Sequence, residues 1–206
     1  LIMVHISGYG QTGPYRDKPG FGVIGEAMGG LRYLTGQPGE PSVRVGVSIG
    51  DSLSALYAVI GTLLALQERN RSGLGQEIDV ALYESVFAMM ESLLPEFDAS
   101  GQVREPSGSA LPGITPSNAY RCQGGDYVLI AGNGDSIFKR LMGVISRDDL
   151  ANDPALAHND GRSQQAEMID AAIQSWTEER PRDAILQALD DARVPAGYPY
   201  TAEDIA

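Results

Sequence analysis

The stretch from Gly46 to Leu66, GVSIGDSLSALYAVIGTLLAL, limits what this chain can fold into more than any other. Leu53, Leu56, Tyr57, Ile60, Leu63 and Leu64 recur at helical spacing, and Ala55, Ala58 and Val59 fill the opposite face. A helix that is apolar nearly all round belongs in a protein core, so a buried core helix is expected here. The uninterrupted run from Ser52 to Gln67 falls short of the roughly 20 residues that span a bilayer, and no membrane association is expected. Arg69 and Arg71 followed by Gly73 read as its end. One carboxylate, Asp51, sits at its beginning, where a short buried strand is expected to run into the helix between Gly46 and Gly50.

Other elements group around that helix. Leu1 to Ser7 reads as a buried strand, and GYGQTGPYRDKPG after it as a loop. A helix is expected from Phe21 to Leu34, broken at Gly29-Gly30. After the long helix, QEIDVAL reads as a strand and YESVFAMMESLLPEF as one amphipathic helix. The segment 98–117 is rich in Gly, Ser and Pro and is expected to be a linker with a mobile loop. Beyond it, NAYRC and DYVLIAG around QGG read as a β-hairpin. Helices are expected from about Asn133, over Arg162 to Thr177 and over Pro181 to Ala192, with a last strand near VPAGYPY. Residues 1–97 thus form an α/β part and 118–206 a smaller α+β domain.

Charge and cysteine content narrow the function. Among the 206 residues the net charge is -12, which provides no basic stripe for nucleic acid or an anionic membrane. The lone Cys122 rules out an internal disulfide framework, and with only His5 and His158 no metal site is expected. A reducing, cytoplasmic setting fits this composition. The chain opens on an apolar strand without Met and stops in TAEDIA, the expected first turn of a helix, so an internal piece of a longer protein is expected.

Asp51 is open to two readings. Aspartate is a preferred N-cap, worth about 1 kcal/mol to a helix. A carboxylate held at a helix start is also a competent nucleophile toward an activated acyl group. The tripeptide Gly-Asp-Ser occurs again at Gly134 to Ser136, before another apolar helix, so local pattern alone does not separate cap from catalyst. Glu26, Tyr9 and Lys18 are weaker polar candidates, and His158 in AHND reads as a solvated loop residue. GYGQTG lacks the ending of a phosphate-binding P-loop, and neither a Ser/His/Asp triad nor a zinc motif is present.

Taken together and in order, ISGYGQTGPYRDKPGF, GEAMGGLRYLTG, RVGVSIGDSLSALYAVIGTLLAL, RSGLGQEIDVALYESV and NAYRCQGGDYVLIAGNGDS resemble the class III CoA-transferases, the family of formyl-CoA transferase, carnitine CoA-transferase and succinyl-CoA-dependent dicarboxylate transferases. The resemblance covers essentially the whole chain. It implies part of a Rossmann-like large domain plus a smaller α+β domain, in subunits that interlock as a homodimer. It also implies an absent amino-terminal portion that supplies much of the CoA pocket. Asp51 stands where the family has its catalytic aspartate, which attacks the donor thioester and passes CoA to an acceptor acid, with coenzyme A and acyl-CoA as substrates.

Where the family commonly shows Tyr-Asp and then Gln-Ala, this chain has Phe21-Gly22 and Glu26-Ala27, so Phe21 and Glu26 are carried over as substrate-binding positions of altered chemistry. The α-methylacyl-CoA racemases, which the resemblance gives the same fold, have a histidine at the position of Phe21. Deprotonation beside a thioester needs a base on each face, which phenylalanine cannot supply. Gly113 lies where the family has a glycine-bearing loop over the active site, and a basic residue near Lys18 or Arg16 is expected to help hold CoA phosphates. A non-catalytic dimerisation module is the reading from a different class.

Overall fold

The structure, a computed structural model, describes residues 1–206 and divides into two compact units, Leu1–Gly108 and Ser109–Ala206. In the first unit β1 (Met3–Ser7) and β2 (Glu77–Ala81) pair in parallel, with Met3 opposite Glu77 and Ser7 opposite Ala81. Parallel strands cannot be joined by a tight turn and need a long crossover. Here the crossover carries α1 (Gly22–Met28), α2 (Leu31–Leu34) and α3 (Ile49–Ser72). It closes at Gly73, whose left-handed backbone (φ 76°) lets its N–H donate to Arg69 O before the chain enters β2.

Glycines set the packing of α1. Gly22, Gly25 and Gly29 lie along one side of that helix, and a Cβ at each would collide with a neighbouring element. At Gly25 it would lie 2.9 Å from Leu82 Cβ and at Gly29 2.6 Å from Val86 Cβ, both on α4 (Leu82–Phe87). At Gly22 it would lie 2.8 Å from the Asp51 carboxylate on α3. Each glycine costs a helix about 1 kcal/mol relative to alanine. The close approach of α3 and α4 offsets that cost by burying Leu82, Val86, Val80 and Ala58.

Several sequence expectations are corrected here. No strand precedes α3, because residues 41–47 are irregular and Val43 and Val47 are exposed. Nor is α3 a buried core helix. It is 24 residues long, enough by length and hydropathy to cross a membrane, and only one side packs on β1, β2, α1 and α4. Ser54, Ala58 and Ala65 are buried there, whereas Leu56, Val59, Ile60, Leu63 and Leu64 are exposed. The helix expected over YESVFAMMESLLPEF is two, α4 and α5 (Leu93–Ser100), separated where Glu91 takes a positive φ of 51°. The second helix runs through Asp98 to Ser100, which composition assigned to the linker.

In the second unit β3 (Ser117–Arg121) and β4 (Tyr127–Ala131) form the hairpin, and β5 (Ala196–Gly197) pairs antiparallel with β4. Helices α6 (Asp135–Val144), α7 (Asp148–Ala151), α8 (Asn159–Gln164), α9 (Ala166–Thr177), α10 (Arg182–Asp191) and α11 (Ala202–Ile205) follow the hairpin. The helix expected from Arg162 to Thr177 is broken at Gln165 into α8 and α9. Val128 and Ile130 of the sheet meet Phe138, Leu141, Ile169, Ile173, Ile185 and Leu189, all fully buried and spaced three or four apart on their helices.

The glycine stripe yields a direct test. Gly25→Ala gains helix propensity but forces a Cβ into Leu82, and overpacking of this kind costs about 1–3 kcal/mol. A lower denaturation midpoint for the full-length Gly25→Ala protein is the expected outcome in a urea titration.

Candidate active site

Asp51 is not the cap of its helix. Ser48 is the N-cap and Asp51 the third helical residue, in the first turn, where its negative charge interacts favourably with the positive helix end. Its side chain is exposed and takes part in no hydrogen bond or ion pair. The carboxylate rests against Gly22, where any other residue would place a side chain. The neighbouring serines face their own helix, Ser52 Oγ donating to Ser48 O at 3.1 Å and Ser54 Oγ to Gly50 O at 2.9 Å.

The second Gly-Asp-Ser provides the contrast. Asp135 is the first residue of α6 and is fully engaged: Oδ1 accepts from Arg162 Nη2 at 2.8 Å and Oδ2 lies 2.9 Å from His158 Nδ1. Those two neighbours, the His158 ring foremost, hold the Asp135 carboxyl below the usual carboxylate range. Arg162 is completely buried, and its other donors reach the carbonyls of Thr115, Leu156, Ala157 and Asn133. Composition does not reveal this residue, because a buried arginine is legible only from its partners. His158 is exposed, as a solvated residue should be, yet it is tied to Asp135.

Of the other sequence candidates, Phe21 and Glu26 share α1 with Gly22. Phe21 is the N-cap residue of α1 and is 77% exposed. Glu26 lies one turn on from Gly22 and is 1% exposed, its Cγ 3.5 Å from where a Cβ of Gly50 would stand. Its Oε2 is 3.7 Å from Arg44 Nε, and its Oε1 has no hydrogen-bond partner. Asp51, Gly22, Gly50, Glu26 and Arg44 therefore form one contiguous patch, in which Arg44 drew no attention in the sequence. Lys18 is not part of the patch's contacts; its Nζ lies 3.7 Å above the Tyr15 ring. Gly113 belongs to the second unit, where its carbonyl accepts from Asn159 Nδ2 at 2.7 Å and Ser163 Oγ at 3.0 Å. An apolar pocket of about 210 Å³ between α2 and α5 is lined by Tyr33, Leu34, Phe87, Leu93 and Phe97 and includes none of these candidates.

Asp51 is thus an exposed, unpartnered carboxylate in the first turn of a helix, beside a glycine. The family model of CoA-transferase family III matches residues 1–206. The chain belongs to that family. A succinyl-CoA--D-citramalate CoA-transferase from Chloroflexus aurantiacus is 47% identical over 205 residues, which is 100% of this chain and 51% of that protein. A succinate--glutarate CoA-transferase from Agrobacterium fabrum is 32% identical, with 100% of this chain and 51% of the relative covered. The chain thus spans about half the length of the curated relatives it matches. Among solved structures, a CaiB/BaiF family protein from Brucella suis superimposes with a TM-score of 0.81 at 33% identity, over 100% of this chain and 54% of that one. That likeness supports a mixed α/β fold of this family.

The engagement of Asp135 has a pH signature. A carboxyl whose pKa is depressed by folding stabilises the protein fully above its unfolded value, about 3.9, and loses that contribution as pH falls through the lower folded value. Asp135→Asn should therefore melt at a lower temperature than the unsubstituted protein near neutral pH, with the gap closing below about pH 4. Thermal melts across that range measure it.

Proposed function

We propose that the whole protein to which this chain belongs is a CoA-transferase that moves CoA from an acyl-CoA, succinyl-CoA foremost, to a small dicarboxylic acid, with Asp51 as the covalent nucleophile. The observation that carries this reading is the difference between two Gly-Asp-Ser aspartates: Asp135 is used up by Arg162 and His158, whereas Asp51 has no partner. Relatives named for succinyl-CoA with D-citramalate, and for succinate with glutarate, support the substrate class.

The chemistry proceeds by exchange at one carboxylate. An Asp51 oxygen attacks the thioester carbonyl of the donor, the C–S bond breaks, and CoA leaves as thiolate while a mixed anhydride forms. The thiolate then attacks the Asp51 carbonyl, releasing the donor acid and leaving an aspartyl-CoA thioester. The acceptor carboxylate attacks that thioester and expels the thiolate again, and attack on the acceptor's side of the new anhydride yields its CoA ester and frees Asp51. Gly22 leaves room beside the carboxylate for the tetrahedral centres of these steps. Lys18, on the loop after β1, is the proposed contact for CoA phosphate. Phe21 carries no ionisable group, which argues against racemase chemistry at this position. In a dimerisation module Asp51 would serve only through its favourable charge at the start of α3.

Two experiments on the full-length protein test this. Incubation with succinyl-CoA followed by hydroxylamine should put a hydroxamate on the peptide containing Asp51, and Asp51→Ala should lose that label together with more than about 10³-fold in turnover. An unlabelled Asp51 and an active Asp51→Ala variant would return the residue to a structural role. We also infer a homodimer, supported by the exposed apolar side of α3. Sedimentation should show twice the monomer mass, and a monodisperse monomer would count against it.

A further inference from the structure

We propose that Arg44, seated on Glu26, receives the second carboxylate of the dicarboxylic acid that reacts at Asp51. This rests on the reading of Asp51 as nucleophile and assigns a residue to the choice of acid.

Burial and incomplete pairing point to Arg44. Glu26 is buried at 1% exposure, yet its one ion-pair partner is Arg44 at 3.7 Å, too far for a hydrogen bond, and Oε1 has no partner. A buried carboxylate without hydrogen bonds is costly, and a cation beside it lowers that cost. Arg44 in turn has five N–H donors, none hydrogen-bonded to protein, and its side chain is 48% exposed. Of the other cations of the first unit, Arg32 and Arg69 have no side-chain partner and no buried acid beside them, and four are in contact with other groups. Arg16 donates to Asp17, Arg71 to Glu68 and Arg104 to Glu96, and Lys18 lies on Tyr15. Arg44 alone among these faces a buried acid on one side with its remaining donors unused.

The spacing matches the substrate. Gly22 and Glu26 are four residues apart on α1, so their Cβ positions are about 5–6 Å apart on one face. Asp51 rests on the first and Arg44 approaches the second. The two α1 residues they touch are one turn apart, a rise of about 5.4 Å, which is on the order of the separation between the carboxyl groups of a four- or five-carbon diacid. Charge requires the cation as well: a diacid approaching Asp51 and Glu26 meets two carboxylates. The planar fork of arginine binds a carboxylate by two parallel hydrogen bonds, a contact that a monocarboxylic acid of the same length cannot make at its methyl end. Glu26 is then a positioning residue that keeps Arg44 at the right height.

The test compares glutarate with pentanoate as acceptors in the full-length enzyme, with donor acyl-CoA saturating. The unsubstituted enzyme should prefer glutarate. Arg44→Gln should lower the glutarate-to-pentanoate ratio of kcat/KM at least about 10-fold, chiefly through KM for glutarate, while pentanoate is little changed; discrimination of this size is what one bidentate pair contributes. Arg44→Lys, which keeps the charge but not the fork, should fall between. Equal losses for both acids would mean that Arg44 only supports the fold, and unchanged kcat/KM for both would mean that it does not touch the acid; either overturns the proposal. Hydroxylamine labelling of Asp51 in the same variant separates the two readings. Label retained with the ratio unchanged defeats Arg44 alone, whereas label absent from the unsubstituted enzyme defeats the nucleophile and this proposal with it.

Discussion

The first unit depends on how closely α1 can be approached. A helix with side chains at 22, 25 and 29 would hold α3 and α4 away from it. Without them, the first turn of α3 drops onto Gly22 and Leu82 and Val86 drop onto Gly25 and Gly29. The same contacts determine where Asp51 stands, because the carboxylate occupies the space of the missing side chain. Fold and candidate chemistry are set here by one omission, repeated along one side of a short helix.

The two Gly-Asp-Ser segments show how little a tripeptide decides. Both enter a helix, but Ser48 caps α3 and puts Asp51 in the third position, whereas Gly134 caps α6 and puts Asp135 in the first. At the first position Asp135 meets Arg162, whose burial demands an anion, and the pair closes a network around Thr115 and Asn133. Nothing comparable lies beside Asp51. The distinction between a structural and a reactive carboxylate resides in the partner, contributed by residues far along the chain.

Elements with local causes were legible in the sequence: the hairpin around Gln123 to Gly125, the stop at Gly73, the interruption at Gly29-Gly30 and the capped turn at Thr201. Asp51 was singled out because a charge in an apolar run is conspicuous. Its placement in the helix was misread, since the cap depends on the backbone angles at Ser48, three residues earlier, and both serine and aspartate are favoured caps. The burial of α3 was overestimated because periodicity reports which faces are apolar and not what covers them. Arg44 and Arg162 escaped notice for a shared reason: an arginine's role is fixed by its neighbours in space, and Glu26 and Asp135 lie 18 and 27 residues away.

The parallel pairing of β1 with β2 also governs the order in which the molecule assembles. Met3 must find Glu77, so the loop to be closed is long and its entropy is lost before any ladder bond forms. The β3–β4 hairpin closes over a short turn and needs no such wait. At ribosomal rates of about 5–20 residues per second, β2 follows β1 out of the ribosome by several seconds. During that interval the edge of β1 that β2 will occupy and the nascent apolar α3 are open to chaperones and to other chains. Folding of the first unit is therefore timed by synthesis of its own crossover.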